Sequence, residues 1–161
     1  MNWKLKILLW FVNNVQPIRQ VNTVDILKER KNVLKAAALG NLLFNNKVAV
    51  AEIKDFKIDD IPVRLYRNST KPNQAVLVYF HGGGFVFYNI DSHDYNTRRL
   101  CAMNDCTVIS VDYKLAPEFT FPSAQEDGFK VIEYLYKNAK ELNIDASKII
   151  VAGDSAGGTI S

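Results

Sequence analysis

Apolar and polar positions change their period once along the chain, near Val48. Before it the spacing is helical. The opening stretch MNWKLKILLWFV sets Lys4 and Lys6 beside Trp3, Leu8, Trp10 and Phe11, which predicts an amphipathic helix. Asn22 is placed to cap a second helix, with Asp25 positioned to return the bond in the manner of a capping box. Leu27, Leu34, Ala38 and Leu42 recur at seven, four and four, one face of a helix that Gly40 and the Asn45–Asn46 pair are expected to end. From Val48 the period shortens. VAVAEIKDFKI and IPVRLYR alternate as two strands joined by a turn at Asp59–Asp60. AVLVYF (75–80) is a short continuous apolar run, as a strand buried on both faces requires, and CTVISVDY and KIIVAG repeat that pattern. Between them Ser92 is expected to cap a helix over about 93–103. Ser123 and Glu126 read as an S-x-x-E capping box ahead of Phe129, Ile132, Leu135, Ala139 and Leu142 on one face. Strands alternating with helices predict an α/β protein with a mostly parallel sheet.

Composition narrows the function classes. The chain has 161 residues, 48% of them hydrophobic and 23% charged, an ordinary folded composition without repeats or low-complexity segments. A net charge of +3 with no Lys/Arg run gives no nucleic-acid footprint. The charge is unevenly placed: residues 1–47 carry a net +6 and residues 48–161 a net −3. Cys101 and Cys106 lack a second ligand pair at metal-site spacing, so they read as half-buried thiols and not as a zinc site. They fit a reducing, cytoplasmic setting. No metal or organic cofactor is implied. The uninterrupted apolar run Ile7 to Val12 is shorter than a secretory core, and Asn13 and Asn14 follow where small residues would be cleaved. It is also far short of the roughly 20 residues that span a bilayer. Two readings of residues 1–12 stay open: a helix resting peripherally on an anionic membrane surface, or one packed on its own protein.

The chemistry lies in two glycine-rich stretches. KIIVAG runs directly into G-D-S-A-G-G, Gly153 to Gly158. A serine at a tight strand-to-helix turn is held in a strained conformation with its hydroxyl exposed, and the flanking residues must be small where the chain passes close by. A glycine-rich phosphate turn is the bland alternative, but the lysine and longer spacing of a P-loop are missing. HGGGF, His81 to Phe85, follows the buried strand AVLVYF. Acyl transfer passes through an oxyanion that needs preorganised N–H donors, and consecutive glycines let a backbone supply them. Each stretch follows its own parallel strand, where ligand sites of such sheets lie.

With these motifs the sequence resembles the hormone-sensitive-lipase-like family of α/β-hydrolases, a group of carboxylesterases and related acyl hydrolases. DYKLAPE (Asp112 to Glu118) and FPSAQED (Phe121 to Asp127) resemble two further family segments in family order, so the resemblance covers Val48 to Ser161. It implies the α/β-hydrolase fold over residues 48–161, with residues 1–47 as a helical cap-like segment. It implies Ser155 as nucleophile, the backbone N–H groups of Gly83, Gly84 and Ala156 as oxyanion hole, and a small-molecule ester as substrate. Asp154 would face away from the serine hydroxyl, His81 would be structural within the oxyanion loop, and His93 would serve packing or capping. DYKLAPE would buttress the oxyanion loop, with Lys114 in place of the usual Arg. Tyr88 stands where the family usually has Gly. Phe85, Phe87, Tyr88, Phe119 and Phe121 suggest an aromatic mouth, or ordinary core packing.

On this fold the triad runs in the order Ser, Asp or Glu, His. Only Ala156, Gly157, Gly158, Thr159, Ile160 and Ser161 follow the serine, and the chain's two histidines both precede it. The expectation is therefore an N-terminal half of a longer hydrolase, truncated after the nucleophile elbow, inactive alone, with KIIVAG left as an open sheet edge. The competing expectation is a non-catalytic relative that keeps the pocket to bind small molecules.

Overall fold

The computed structural model describes residues 3, 6, 7, 10, 25–44, 48–69 and 71–161. They fall into two compact units, Met1–Lys47 and Val48–Ser161. In the first, residues 3, 6, 7 and 10 are helical, and α1 spans Ile26–Phe44. Its start corrects the expected cap. Asp25 sits just before the helix, and its Oδ1 accepts the Lys28 N–H at 3.1 Å while its carbonyl accepts that of Glu29 at 2.9 Å. The Asp25 side chain thus satisfies one of the free donors at the helix start. Asn22, Asn45 and Asn46 lie outside the described residues. Gly40 does not end the helix, which runs on to Phe44. The expected apolar face is also incomplete, since Leu27 is 53% and Leu42 80% exposed.

The second unit is a five-stranded mixed sheet with helices between its later strands. In chain order it holds β1 (Glu52–Ile58), β2 (Ile61–Arg67), β3 (Gln74–Phe80), α2 (Ile90–Asn104), β4 (Thr107–Val111), α3 (Ser123–Lys137), β5 (Ile144–Gly153) and α4 (Ala156–Ile160). The sheet order is β1-β2-β4-β3-β5. β1 and β2 form the expected antiparallel hairpin, with Ile58 opposite Ile61 and Asp59 at φ 54° in the turn. β2 is antiparallel to β4, whereas β3 is parallel to both β4 and β5. Each parallel step crosses through a helix, as parallel pairing requires.

β3 separates two cores by its alternation. Val76, Val78 and Phe80 join Val63, Ile109 and Val111 against Val131 and Leu135 of α3. Leu77 and Tyr79 join Tyr66 and Val108 with Cys101 and Cys106. The cysteines are free and fully buried, not half-buried. Burial pushes both thiols up, Cys101 to about 11, so neither is a ready nucleophile.

Two helix starts differ from the sequence expectation. Asn89, not Ser92, caps α2: its Oδ1 accepts the Ser92 N–H at 3.0 Å, and Ser92 Oγ accepts the Asn89 N–H at 3.0 Å. Ser92 is the third helical residue of that capping box. α3 has no capping box, because Ser123 is its first residue and Pro122 precedes it with only a carbonyl to offer. The helix stops at Lys137, yet Ala139 and Leu142 beyond it still join the core. Phe129 is 68% exposed and leaves the expected face. β5 begins at Ile144, ahead of KIIVAG, and occupies one edge of the sheet with Ile150 half exposed.

Candidate active site

Phe80 closes β3 and Gly153 closes β5, and the two are register partners. The loops that follow, HGGGF and DSAGG, therefore leave the same end of the sheet side by side. Ser155 stands between β5 and α4 at φ 52°, ψ −116°, a left-handed backbone unusual for a residue with a side chain. Glycine is required on both sides of it by space. A Cβ on Gly153 would lie 2.6 Å from the Phe80 carbonyl oxygen, and one on Gly157 would overlap that same carbonyl. Ser155 is exposed, and among the described residues no group hydrogen-bonds its hydroxyl.

Asp154 fastens the two loops together. Its Oδ1 accepts the Tyr79 hydroxyl at 2.6 Å and the Gly82 N–H at 3.0 Å. Burial works to raise this carboxyl, but the Tyr79 bond, the nearby His93 and the Gly82 N–H outweigh it and hold it below the usual range. Asp154 is thus engaged with the glycine loop. Gly83 and Gly84 sit at φ 127° and 62°. The Gly83 carbonyl accepts the N–H groups of Val86 and Phe87 at 3.1 and 2.9 Å, which curls the loop into a tight turn. Among the described residues, the N–H groups of Gly83, Gly84 and Ala156 donate to no protein acceptor. Unpaired donors of this kind are available to an anion.

The loop rests on the DYKLAPE segment. His81 is fully buried, its Nδ1 2.8 Å from the Gly82 carbonyl and its ring stacked on Tyr113 at 4.4 Å. The Tyr113 hydroxyl donates to the His81 carbonyl at 2.5 Å, and the Ala116 N–H to that of Phe85 at 2.8 Å. Lys114 ties this segment to buried Asp127 at 3.2 Å and to Asp60 at 3.0 Å. Burial pushes His81 down to about 4, so at neutral pH it is an uncharged packing group. His93 lies 3.6 Å from Asp154, and its ring is 5.5 Å from that of His81 and edge-on to Tyr88. It packs and does not cap, since Asn89 takes that role. Neither histidine bonds Ser155. Tyr88 has φ 73° and Phe85 φ 62°. Tyr88 thus occupies a position whose backbone favours glycine. Phe121 is 83% and Phe119 48% exposed, whereas Phe85 packs against the core.

Sequence reasoning missed Tyr79, reading its strand only as an apolar run. The available signal was its hydroxyl, because a buried tyrosine needs a partner for it. Among the described residues no group of three metal-ligating side chains comes together.

Known proteins resemble the chain along nearly its whole length. The family described as alpha/beta hydrolase fold matches residues 77–161. An arylesterase of Saccharolobus solfataricus is 36% identical over 159 residues, which cover 92% of this chain and 50% of the arylesterase. Carboxylesterase NlhH of Mycobacterium tuberculosis is 44% identical over 105 residues, 65% of this chain and 33% of that protein. The solved structure of a hyperthermophilic esterase from Pyrobaculum calidifontis superposes with a TM-score of 0.89 at 32% identity, over 99% of this chain and 51% of that one. The chain spans about half the length of the arylesterase and the Pyrobaculum esterase. It belongs to the α/β-hydrolase family, within its hormone-sensitive-lipase-like branch.

Proposed function

We propose that the chain carries the nucleophile and oxyanion half of a serine ester hydrolase acting on small-molecule esters. The observation that carries this reading is the backbone of Ser155, strained at φ 52° on a turn tied through Asp154 to the glycine loop. Ser155 Oγ attacks the acyl carbon and releases the alcohol. The oxyanion is held by the N–H groups of Gly83, Gly84 and Ala156, which have no acceptor among the described residues. Water then frees the acid from the acyl-serine. The proton leaving Ser155 Oγ needs a base, and both histidines of the chain are otherwise engaged in packing. The base and its orienting carboxylate therefore come from residues of the whole protein outside these 161. The unit Met1–Lys47 is assigned as a helical cap-like segment by its position in the sequence and its helical character alone.

Hydrolysis of p-nitrophenyl acetate tests the reading. In the whole protein, Ser155→Ala is expected to lower kcat on the order of 10⁶-fold. The 161-residue chain is expected to be no faster than its own Ser155→Ala variant. A whole protein that binds small esters without hydrolysing them would replace this reading with that of a non-catalytic binding relative. A Ser155-dependent rate in the chain would place the base within it.

A further inference from the structure

The nucleophile turn and the glycine loop leave different strands, and one carboxylate oxygen joins them. Asp154 Oδ1 accepts the Tyr79 hydroxyl at 2.6 Å and the Gly82 N–H at 3.0 Å. His93 stands 3.6 Å from the same oxygen, beyond hydrogen-bond reach. Gly82 leaves the carboxylate its seat, since a Cβ there would lie 2.2 Å from Asp154 Oδ2. Tyr79 is held on both sides. It lies on β3 between β4 and β5, the register partner of Ser110 on one and Ala152 on the other. Its ring is buried. A hydroxyl carried by such a strand fixes what it bonds more closely than a loop residue would.

What Asp154 holds decides where an oxyanion donor points. The peptide between His81 and Gly82 is planar, with its carbonyl and its N–H on opposite edges. The Tyr113 hydroxyl donates to that carbonyl at 2.5 Å and Asp154 accepts from that N–H, so the plane is gripped at both edges. In the next peptide the Gly82 carbonyl lies 2.8 Å from His81 Nδ1. A carbonyl only accepts, so this nitrogen carries the proton. The Gly83 N–H, on the opposite edge of that second plane, is thereby turned away from the His81 ring. On the elbow side, the Asp154 carbonyl accepts the Gly157 N–H at 2.9 Å, and Ser155 follows directly. We propose, resting on the hydrolase reading above, that Tyr79 is a positioning residue: through Asp154 its hydroxyl sets the spacing between Ser155 Oγ and the N–H groups of Gly83 and Gly84. The hydroxyl is engaged with Asp154 and does not touch substrate. Its effect falls on the transition state, because the oxyanion meets those donors fully only as the tetrahedral intermediate forms.

Steady-state hydrolysis of p-nitrophenyl acetate by the whole protein tests this. Tyr79→Phe keeps the ring and is expected to lower kcat on the order of 10–100-fold, with KM changed by less than about twofold. Affinity for a boronic acid, which becomes a tetrahedral anion on the serine, is expected to fall by the same factor. Asp154→Asn keeps an oxygen that accepts both bonds and is expected to lower kcat by less than about fivefold. Asp154→Ala keeps none and is expected to lose at least as much as Tyr79→Phe. Because the hydroxyl acts through Asp154, adding Tyr79→Phe to Asp154→Ala should cost less than about threefold more. Urea midpoints check that each variant folds; should Tyr79→Phe fail to, the contrast between asparagine and alanine at 154 carries the test. In an active parent, Tyr79→Phe with kcat within about threefold of it, or with a raised KM in place of a lowered kcat, would overturn the proposal and leave the hydrolase reading standing. Equal losses in Asp154→Asn and Asp154→Ala would do the same. A folded whole protein that does not hydrolyse the ester at all would overturn both.

Discussion

Ser155 holds a backbone conformation that costs on the order of 1–3 kcal/mol, and such strain persists only where the surroundings enforce it. Here the surroundings are identifiable: Gly153 and Gly157 lie against the Phe80 carbonyl with no room for a methyl group. We expect Gly157→Ala to destabilise the fold by about 3 kcal/mol or more, read from urea denaturation, because the clash is with backbone that cannot rotate away. A cost below about 1 kcal/mol would show that the turn is looser than the structure has it. Much of this was legible in the sequence, since small residues around a serine after an apolar run have few other uses. Tyr88 was legible only as a departure from the family. Its reason is a backbone sign, φ 73°, that residue type does not reveal. Tyr79 was missed because a strand read by its apolar period hides the one hydroxyl that ties Asp154 in place.

Among the elements, strands were read more accurately than helix ends. Continuous apolar runs located β3 and β4, and alternation with a turn located the β1–β2 hairpin. Helix starts misled for a physical reason. Asn89 and Ser92 are both good caps three residues apart, and each bonds the other's N–H, so composition alone does not say which stands outside the helix. Asn89→Ala is expected to cost about 1 kcal/mol, seen as a lower urea midpoint. Ser123→Ala, at a first helical position without a side-chain cap bond, is expected to change stability by less than about 0.5 kcal/mol. Equal losses in the two variants would contradict this assignment. Phe129 was placed on the buried face of α3 because its spacing to Ile132 is helical, yet spacing does not say where a stripe ends, and Phe129 is exposed.

At the scale of the whole molecule, the strand-helix alternation gave the α/β class, while the insertion of β4 between β2 and β3 was beyond any local pattern. That order depends on pairings such as Val63 with Val111, far apart in sequence. Global stability should carry the mark of His81, whose burial lowers it from 6.5 to about 4. Its folded state binds the proton less readily than the unfolded chain, so its contribution is fully present above pH 6.5. It is lost as pH falls toward 4, by about 3 kcal/mol in all. Urea midpoints between pH 7 and 4 should fall accordingly, and His81→Phe, which keeps a ring on Tyr113, should flatten that slope. An unchanged slope in the variant would move the effect elsewhere. The most direct test of Ser155 as nucleophile is fluorophosphonate labelling of the whole folded protein, followed by mass spectrometry of the peptide that contains it. A phosphonyl adduct on Ser155, absent after Ser155→Ala, is the expected result; a folded protein that stays unlabelled, or carries the adduct on another residue, would contradict it.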